Sequence, residues 1–519
     1  MAYHLLTGAT GLLGTYLLRD GLCAGRRIAV VVRPGTAESP RQRIESILAR
    51  WERELGRALA RPPVLEGDLT KPNLGLDRAS VDWVSRNCVS VLHNAASLSF
   101  TTNPRTGEPH RSNVEGTRNV LDLCQTTGIR QFHHVSTSYV CGLRTGRVFE
   151  SELDVGQELG NDYERTKVEA EKLLRGADFL DTLTVYRPAI IIGDSVTGYT
   201  TTFHGFYTPL KIGQALVKQF KPEEINGEPL LAALGLSGQE HKNFVPVDWV
   251  SRLITYLYDR PEHHGQTYHL APARRVPVAT CRKVIERTLE EYALQQRSQN
   301  QNTTMTELAE MQETFAGQMG AYQAYWRDDP EFDLTNTRRA APHLAFCDVG
   351  FETLLRTSRY ALTSNFGWPR PQPVIPSFDV NDYLAGALPT KSPNNGAGTV
   401  KVGLQVNGPG GGQWTLAVDG SHVIAVEMGL AADREALLYL NSKTFEQCIR
   451  GQLAPEEAAR RGLLASETGS LTVERLLGVF SGMATRASEG EVPPAVAAGA
   501  TTAEPARPMR KSATQRTPS

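Results

Sequence analysis

YHLLTGATGLLG, residues 3–14, decides the fold. A short apolar run is followed at once by Gly8, Gly11 and Gly14, and then by an apolar-periodic stretch over 12–22. The first run reads as a buried strand and the second as a helix. Glycine is needed where such a turn is tight, where backbone must approach a diphosphate, and where helix packs on strand. Free N–H groups and the helix dipole favour an anion at that helix start. Gly8, Thr10, Gly11, Leu12, Leu13 and Gly14 are therefore candidates for holding a dinucleotide diphosphate. GxxGxxG spacing is a weak signal alone, and a glycine-rich turn without ligand is the plain alternative.

Outward from this turn, short apolar runs at 27–32, 89–93, 132–135 and 183–192 read as further strands. Helical patterns at 41–59 and 114–127 lie between them. Alternating strands and helices imply βαβ units and a parallel sheet, so the fold class is α/β, a doubly wound Rossmann sheet. Residues 276–369 change to long polar helices, with a Gln-, Asn- and Thr-rich segment at 295–306, and read as helical substrate-binding additions. PTKSPNNGAG (389–398) is a linker by composition and follows a short helix at 380–387. Beyond it, Val400, Val402, Leu404 and Val406 alternate, Trp414, Leu416 and Val418 repeat the rhythm, and strands follow at 423–428 and 437–440. Helical stretches at 444–449, 456–461 and 472–480 complete a C-terminal α+β unit. The expected division is 1–375, 376–486, and a disordered tail at 487–519 rich in Ala, Pro, Thr and Arg.

A chain of 519 residues is long enough for two or three cores. Its formal net charge of −1 gives no global field to attract nucleic acid. The seven cysteines are scattered and never form a CxxC pair, which argues against a zinc site and a disulfide framework. No metal is expected. With no basic leader, and no run near the ~20 apolar residues of a membrane helix, the expectation is a cytoplasmic protein without a transmembrane segment.

RIAVVV (27–32) ends in Arg33, where an NAD-preferring site carries a carboxylate for the ribose hydroxyls. A guanidinium there pairs with a 2′-phosphate instead, so NADPH is expected, with Arg43 as a helper. Asp68, with Leu69 beside it, is placed at the adenine amino group, and Asn94, Ala95 and Ala96 where backbone passes close to the cofactor. NDYERTKVEAEKLL (161–174) carries Tyr163 and Lys167 four apart, on one helix face. A phenol donates a proton to a carbonyl oxygen, and a neighbouring ammonium is expected to lower its pKa. Lys167 is also expected to reach the nicotinamide ribose. HHVSTSYVCG (133–142) supplies Thr137 to polarise the substrate oxygen, with Ser136 and Ser138 facing away and His133 and His134 packed in a strand. Asn113 is either a helix N-cap or a support for Lys167.

TGATGLLG, Asp68, NAA, STS and YxxxK, followed by YRPAIIIGDSVTG (186–198), together resemble the extended short-chain dehydrogenases. With Arg33, Thr137 and NFVPVDWVS (243–251), the likeness narrows to the thioester-reductase and fatty-acyl-reductase (male sterility-type) branch, over residues 1–368. That resemblance implies NADPH-dependent reduction of a hydrophobic acyl thioester, bound to CoA or a carrier protein, or of an aldehyde or ketone, with Thr137, Tyr163, Lys167 and Asn113 catalytic. It also implies that Pro188 borders the cofactor. GPGGGQWTLAVDG (408–420) and TFEQCIRGQLAPEEAARRG (444–462), with a final helix at 471–480, resemble the sterol carrier protein type-2 fold. This implies a lipid ligand, although Ala459-Arg460-Arg461-Gly462 departs from the usual aromatic and lysine near the glycine. The alternatives are a hydroxysteroid-type dehydrogenase, a sugar-nucleotide epimerase or dehydratase, and a lipid carrier with a regulatory nucleotide fold.

Overall fold

The computed structural model describes residues 2–35, 38–203, 205–217, 235–297, 323–344, 347–368, 376, 378–386, 399–420 and 422–468. In chain order the N-terminal part runs β1 Tyr3–Thr7, α1 Leu12–Cys23, β2 Ile28–Val32, α2 Pro40–Leu55, β3 Val64–Glu66, α3 Arg78–Asn87 and β4 Cys88–His93. Then follow α4 Gly116–Thr127, β5 Gln131–Val135, β6 Arg147–Val148, α5 Asp162–Arg175, β7 Thr182–Pro188, β8 Ile190–Ile192 and α6 Tyr207–Val217. Short strands β9 His241–Lys242 and β10 Phe244–Pro246 lead to β11 Thr267–Leu270 and β12 Val276–Pro277, with β13 Glu331–Phe332 further on.

Seven of these strands form one sheet in the order β3-β2-β1-β4-β5-β7-β11, and every pairing in it is parallel. The apolar runs are unbroken because both faces are buried. Ile28, Val30 and Val32 join a core on one face, whereas Ala29 and Val31 join the core on the other. Each of the valines and the isoleucine contributes roughly 1.5–3 kcal/mol on burial. Strand order reverses between β1 and β4, so the loops after them open a crevice at the carboxyl edge.

The expected helix at 41–59 is shorter in the structure. Ser39 and Gln42 form a reciprocal capping box before Pro40, and Gly56, at φ 65°, ends α2 in the left-handed conformation. The expected strand at 183–192 is two strands: β7 ends at Pro188, and β8 leaves the main sheet to pair with β10. Helices Val278–Arg297 and Phe351–Thr363 pack against each other in the part of the chain whose character changes after residue 276.

Near the C-terminal end, β14 Val400–Asn407, β15 Gly412–Asp419, β16 His422–Met428, β17 Ala436–Asn441 and β18 Leu464–Thr468 form a second sheet, ordered β16-β15-β14-β17-β18. Its own core gathers Val402, Leu404, Trp414, Leu416, Leu438 and Phe445, beneath helices Val380–Gly386 and Ser442–Ile449. The alternating runs at 400–406 and 414–418 and the strands read at 423–428 and 437–440 match β14 to β17. Strand β18 escaped notice, with Leu464 buried but Ala465, Ser466 and Glu467 exposed. The expected linker at 389–398, the helix at 472–480, the tail at 487–519 and most of the polar segment at 295–306 lie outside the described residues.

This second sheet meets the amino edge of the first. Leu430 N–H donates to the Tyr3 hydroxyl (2.7 Å), Trp83 Nε1 donates to the Met428 carbonyl (2.6 Å), and Arg27 donates to the Leu430 carbonyl (2.8 Å). Gly429, at φ +83°, is held there, because a Cβ would lie 2.9 Å from the Trp83 ring.

Candidate active site

The carboxyl ends of β1, β2, β4, β5 and β7 border a cavity of about 860 Å³. Gly8, at φ +71°, sits so close to the loop after β4 that a Cβ would lie 2.6 Å from the Ala95 nitrogen. Asn94 Nδ2 donates to the Gly8 carbonyl (3.2 Å), and Ala95 N–H donates to the Thr7 hydroxyl (3.2 Å). The two loops are thereby locked side by side, with Thr10, Gly11, Leu12, Leu13 and Ala96 also on the wall. Gly11 precedes α1 in an extended conformation with no side-chain cap, leaving the first helical N–H groups for an anion. Gly14 lies behind the wall: a Cβ there would be 1.9 Å from the Gly8 carbonyl oxygen, so its role is helix-on-turn packing.

Arg33 and Arg43 line the cavity beyond β2. Arg33 is exposed, whereas the Nε and Nη2 atoms of Arg43 are buried with no hydrogen-bond partner among the described residues. Burial lowers the Arg43 pKa, Glu38 opposes that shift, and the like charge of Arg33 adds to it. Two guanidiniums thus share one stretch of wall, and the unpaired buried donors of Arg43 have the chemistry to pair with an anion. Asp68 and Leu69 are on the wall. The Asp68 carboxylate accepts from Thr70 N–H (3.0 Å) and its hydroxyl (2.9 Å). Burial pushes its pKa up, but these bonds and Arg33 hold it below the ordinary value.

Further along the wall stand Thr137, Tyr163, Lys167 and Pro188. Thr137 follows β5; its hydroxyl accepts from Tyr139 N–H (3.2 Å) and lies near enough to the Tyr163 phenol to lower that group's pKa. Tyr163 and Lys167 occupy one face of α5, whose start is capped by Asn161. Lys167 is 2% exposed. Its Nζ donates to the Val135 carbonyl (2.8 Å) and lies 3.4 Å from His134 Nε2. Burial pushes its pKa down to about 8, against the pull of Glu171.

One expectation needs correcting here. The phenol of Tyr163 is raised, not lowered: burial dominates, Glu164 adds to it, and only the Thr137 hydroxyl opposes. The Lys167 ammonium is turned toward the Val135 carbonyl, so it does not offset desolvation of the phenolate.

Asn113 is not an N-cap. It lies inside a π-helical turn, Arg111–Glu115, that precedes α4. Its Oδ1 accepts from Ser97 N–H (2.7 Å), and its Nδ2 donates to the Ser97 carbonyl (3.0 Å) and the Thr166 hydroxyl (2.9 Å). It ties the loop after β4 to α5 and touches neither the cavity nor Lys167 directly. Ser138 donates to the Arg187 carbonyl (2.6 Å), away from the site, whereas Ser136, expected to face away, is on the wall. His133 packs in the core against Tyr186 (3.0 Å).

Sequence reading missed Ser97, Thr166 and the contact of His134 with Lys167. The strand's alternation was the available signal for the last, since it turns His134 to the side of Phe132, where α5 packs. It also missed the apolar arm of the cavity, where Ile190, Phe206 and Phe244 face Val278, Ile285 and Leu289 of helix Val278–Arg297. These residues come from segments without a shared motif. Among the described residues no cluster of three metal-ligating side chains occurs, and no helix is long and apolar enough to cross a membrane.

Residues 6–254 match the NAD-binding family described as male sterility protein. A nonribosomal peptide synthetase of Aspergillus flavus is 27% identical over 281 residues, covering 51% of this chain and 26% of that protein. An aldehyde reductase of the same species is 28% identical over 288 residues, covering 52% and 26%. The chain thus spans about a quarter of the length of these curated relatives. Among solved structures, the terminal R domain from the myxalamid PKS-NRPS biosynthetic pathway aligns with a TM-score of 0.53 and 25% identity, over 72% of this chain and 93% of that one. The N-terminal part of the chain is thus a Rossmann-type α/β unit similar to nicotinamide-dependent reductases of the extended short-chain dehydrogenase, thioester-reductase-like class.

Proposed function

We propose that the chain is an NADPH-dependent reductase of a hydrophobic carbonyl compound, foremost an acyl thioester carried by CoA or a carrier protein, or the derived aldehyde. The observation that carries this reading is one cavity that holds the glycine turn, the Arg33–Arg43 pair, the Thr137–Tyr163–Lys167 set and an apolar arm. A dinucleotide fits the residues present. Gly8 gives backbone access for its diphosphate, and the unpartnered nitrogens of Arg43 suit a 2′-phosphate. When bound, the dinucleotide supplies the hydride. Tyr163 holds a proton on its phenol for the carbonyl oxygen, and its raised pKa keeps that proton in place before the cofactor arrives. Thr137 orients the phenol and offers the same oxygen a hydrogen bond. Lys167 sits where an added negative group would favour its charged form. The apolar wall of Phe206, Phe244 and Leu289 takes the acyl chain and excludes water.

The sterol-carrier-like reading of the C-terminal sheet belongs to this proposal as a module that concentrates lipid-like substrate near the site. It is supported by the resemblance of 408–420 and 444–462 to the sterol carrier protein type-2 fold. Titration of the full chain with a fluorescent fatty acid tests it, and the absence of saturable binding sinks it. The reductase reading is tested by NADPH consumption against acyl thioesters, aldehydes, sterol ketones and nucleotide sugars. Turnover of thioesters or aldehydes supports it, and turnover of sterol ketones or nucleotide sugars alone overturns it.

A further inference from the structure

Arg41 and Arg43 stand two residues apart in the first turn of α2, so they point to nearly opposite sides of the helix. Arg43 faces the cofactor cavity. Arg41 faces the C-terminal sheet. Its Nη2 donates to Asn381 Oδ1 (2.9 Å), its Nη1 reaches the Gly411 carbonyl (3.4 Å), and its guanidinium lies 5.8 Å from the Trp414 ring centre. Trp414 Nε1 reaches the same Asn381 oxygen at 3.4 Å. The fit is close: a Cβ on Gly412 would lie 2.6 Å from the Trp414 ring and 3.2 Å from Arg41 Nη1.

We propose that the C-terminal unit is a working part of the cofactor pocket: through Arg41 it fixes the first turn of α2 and so holds Arg43 in place for the adenosine 2′-phosphate. The helix start is pinned twice. Ser39 and Gln42 cap it within its own chain segment, which sets where the helix begins. Ile44, Leu48 and Trp51 in the core and Arg61 on Glu45 fix the rotation of the helix body, and Arg41 adds an outside grip on its first turn. Arg41 is half-buried, and Asp379 and Asp382 offset part of its desolvation. A partly desolvated guanidinium of this kind gives a directional contact, because each donor needs its own acceptor. Arg41 is thus a positioning residue, Arg43 is the contact residue, and preference for the phosphorylated dinucleotide depends on a contact with the second sheet. This rests on the NADPH reading.

The test is fluorescence titration of the full-length chain with NADPH and with NADH, which requires no substrate. Arg41→Ala and Asn381→Ala should each weaken NADPH binding by about three- to tenfold, as expected for loss of ~1 kcal/mol of orientation, and leave NADH binding unchanged. Arg41→Lys, which keeps charge without the fork, should fall between. Arg43→Ala serves as the reference. If it narrows the NADPH-to-NADH ratio while Arg41→Ala and Asn381→Ala do not, the second sheet has no part in selection and the proposal is overturned. If wild type does not prefer NADPH, or Arg43→Ala leaves the ratio unchanged, the NADPH reading fails first. Should Arg41→Ala not fold, Asn381→Ala decides alone: an unchanged ratio overturns the proposal, and equal weakening of both dinucleotides does the same.

Discussion

Tyr163 and Lys167 illustrate how burial can outweigh proximity. The four-residue spacing puts them on one helix face, but the phenol keeps its proton tightly while the amine is loosened. Tyr163→Phe should lower turnover by roughly 10²–10⁴-fold, the usual worth of a positioned proton donor, with NADPH binding by fluorescence nearly unchanged. Lys167 also makes a stability prediction. Its folded pKa of about 8 lies below the ordinary 10.5, so between those values the unfolded chain binds the extra proton. Stability of the cofactor-free chain therefore rises with pH across that window, and the penalty is fully present below it. Lys167→Met should raise the urea midpoint at pH 7 by an amount worth about 1–2 kcal/mol and flatten the rise above pH 8, while abolishing turnover. A lower midpoint at pH 7 would show that the bond to Val135 outweighs the desolvation. The roles of these residues were legible because YxxxK and STS carry fixed chemistry. Their electrostatics were not, since desolvation depends on what packs around them.

At the scale of elements, the glycine turn and the runs at 27–32, 89–93 and 132–135 were read correctly because their constraints are local, whereas β3 and β11 were not read as strands. Gly8 needs a positive φ and Gly14 needs the absence of a Cβ whatever the rest of the chain does. The π-turn before α4 was not legible, because nothing in NVEGTRNVLDL distinguishes a widened turn from an ordinary one. It exists where Asn113 bridges Ser97 and Thr166, and those partners lie far away in sequence. The break at Pro188 was legible in principle, since proline ends a strand's hydrogen bonding, but the apolar residues on either side concealed it. Asn113→Ala should leave Ser97 N–H without its partner. The expected cost is about 1–3 kcal/mol, read as a lower urea midpoint, together with a fall in kcat larger than any change in KM, because the loop after β4 and α5 lose their common tether. An unchanged kcat would separate this turn from the chemistry.

For the whole molecule, the question is whether the two sheets unfold as one. Tyr3, Arg27 and Trp83 of α3 lie at the amino edge of the parallel sheet, and their partners Met428 and Leu430 end and follow the edge strand β16. Each bond satisfies a backbone group that the junction takes out of water, so losing one leaves a buried donor or acceptor unpaired. Sequence reading had no access to this, because the partners are about 400 residues apart and neither side carries a motif. Tyr3→Phe removes only the hydroxyl that accepts from Leu430 N–H, and Trp83→Phe removes the donor to the Met428 carbonyl together with part of the ring packed on Tyr3. Each should destabilise the chain by about 1–3 kcal/mol. The loss should appear in probes of both sheets at once, because a contact shared by two cores couples their unfolding. Urea melts in single-tryptophan backgrounds distinguish the outcomes, followed by Trp83 and Trp414 fluorescence for Tyr3→Phe and by Trp51 and Trp414 fluorescence for Trp83→Phe. Coincident shifts mean one cooperative unit, whereas a Tyr3→Phe transition that splits in two means that the second sheet is a separately folding attachment held by the junction alone.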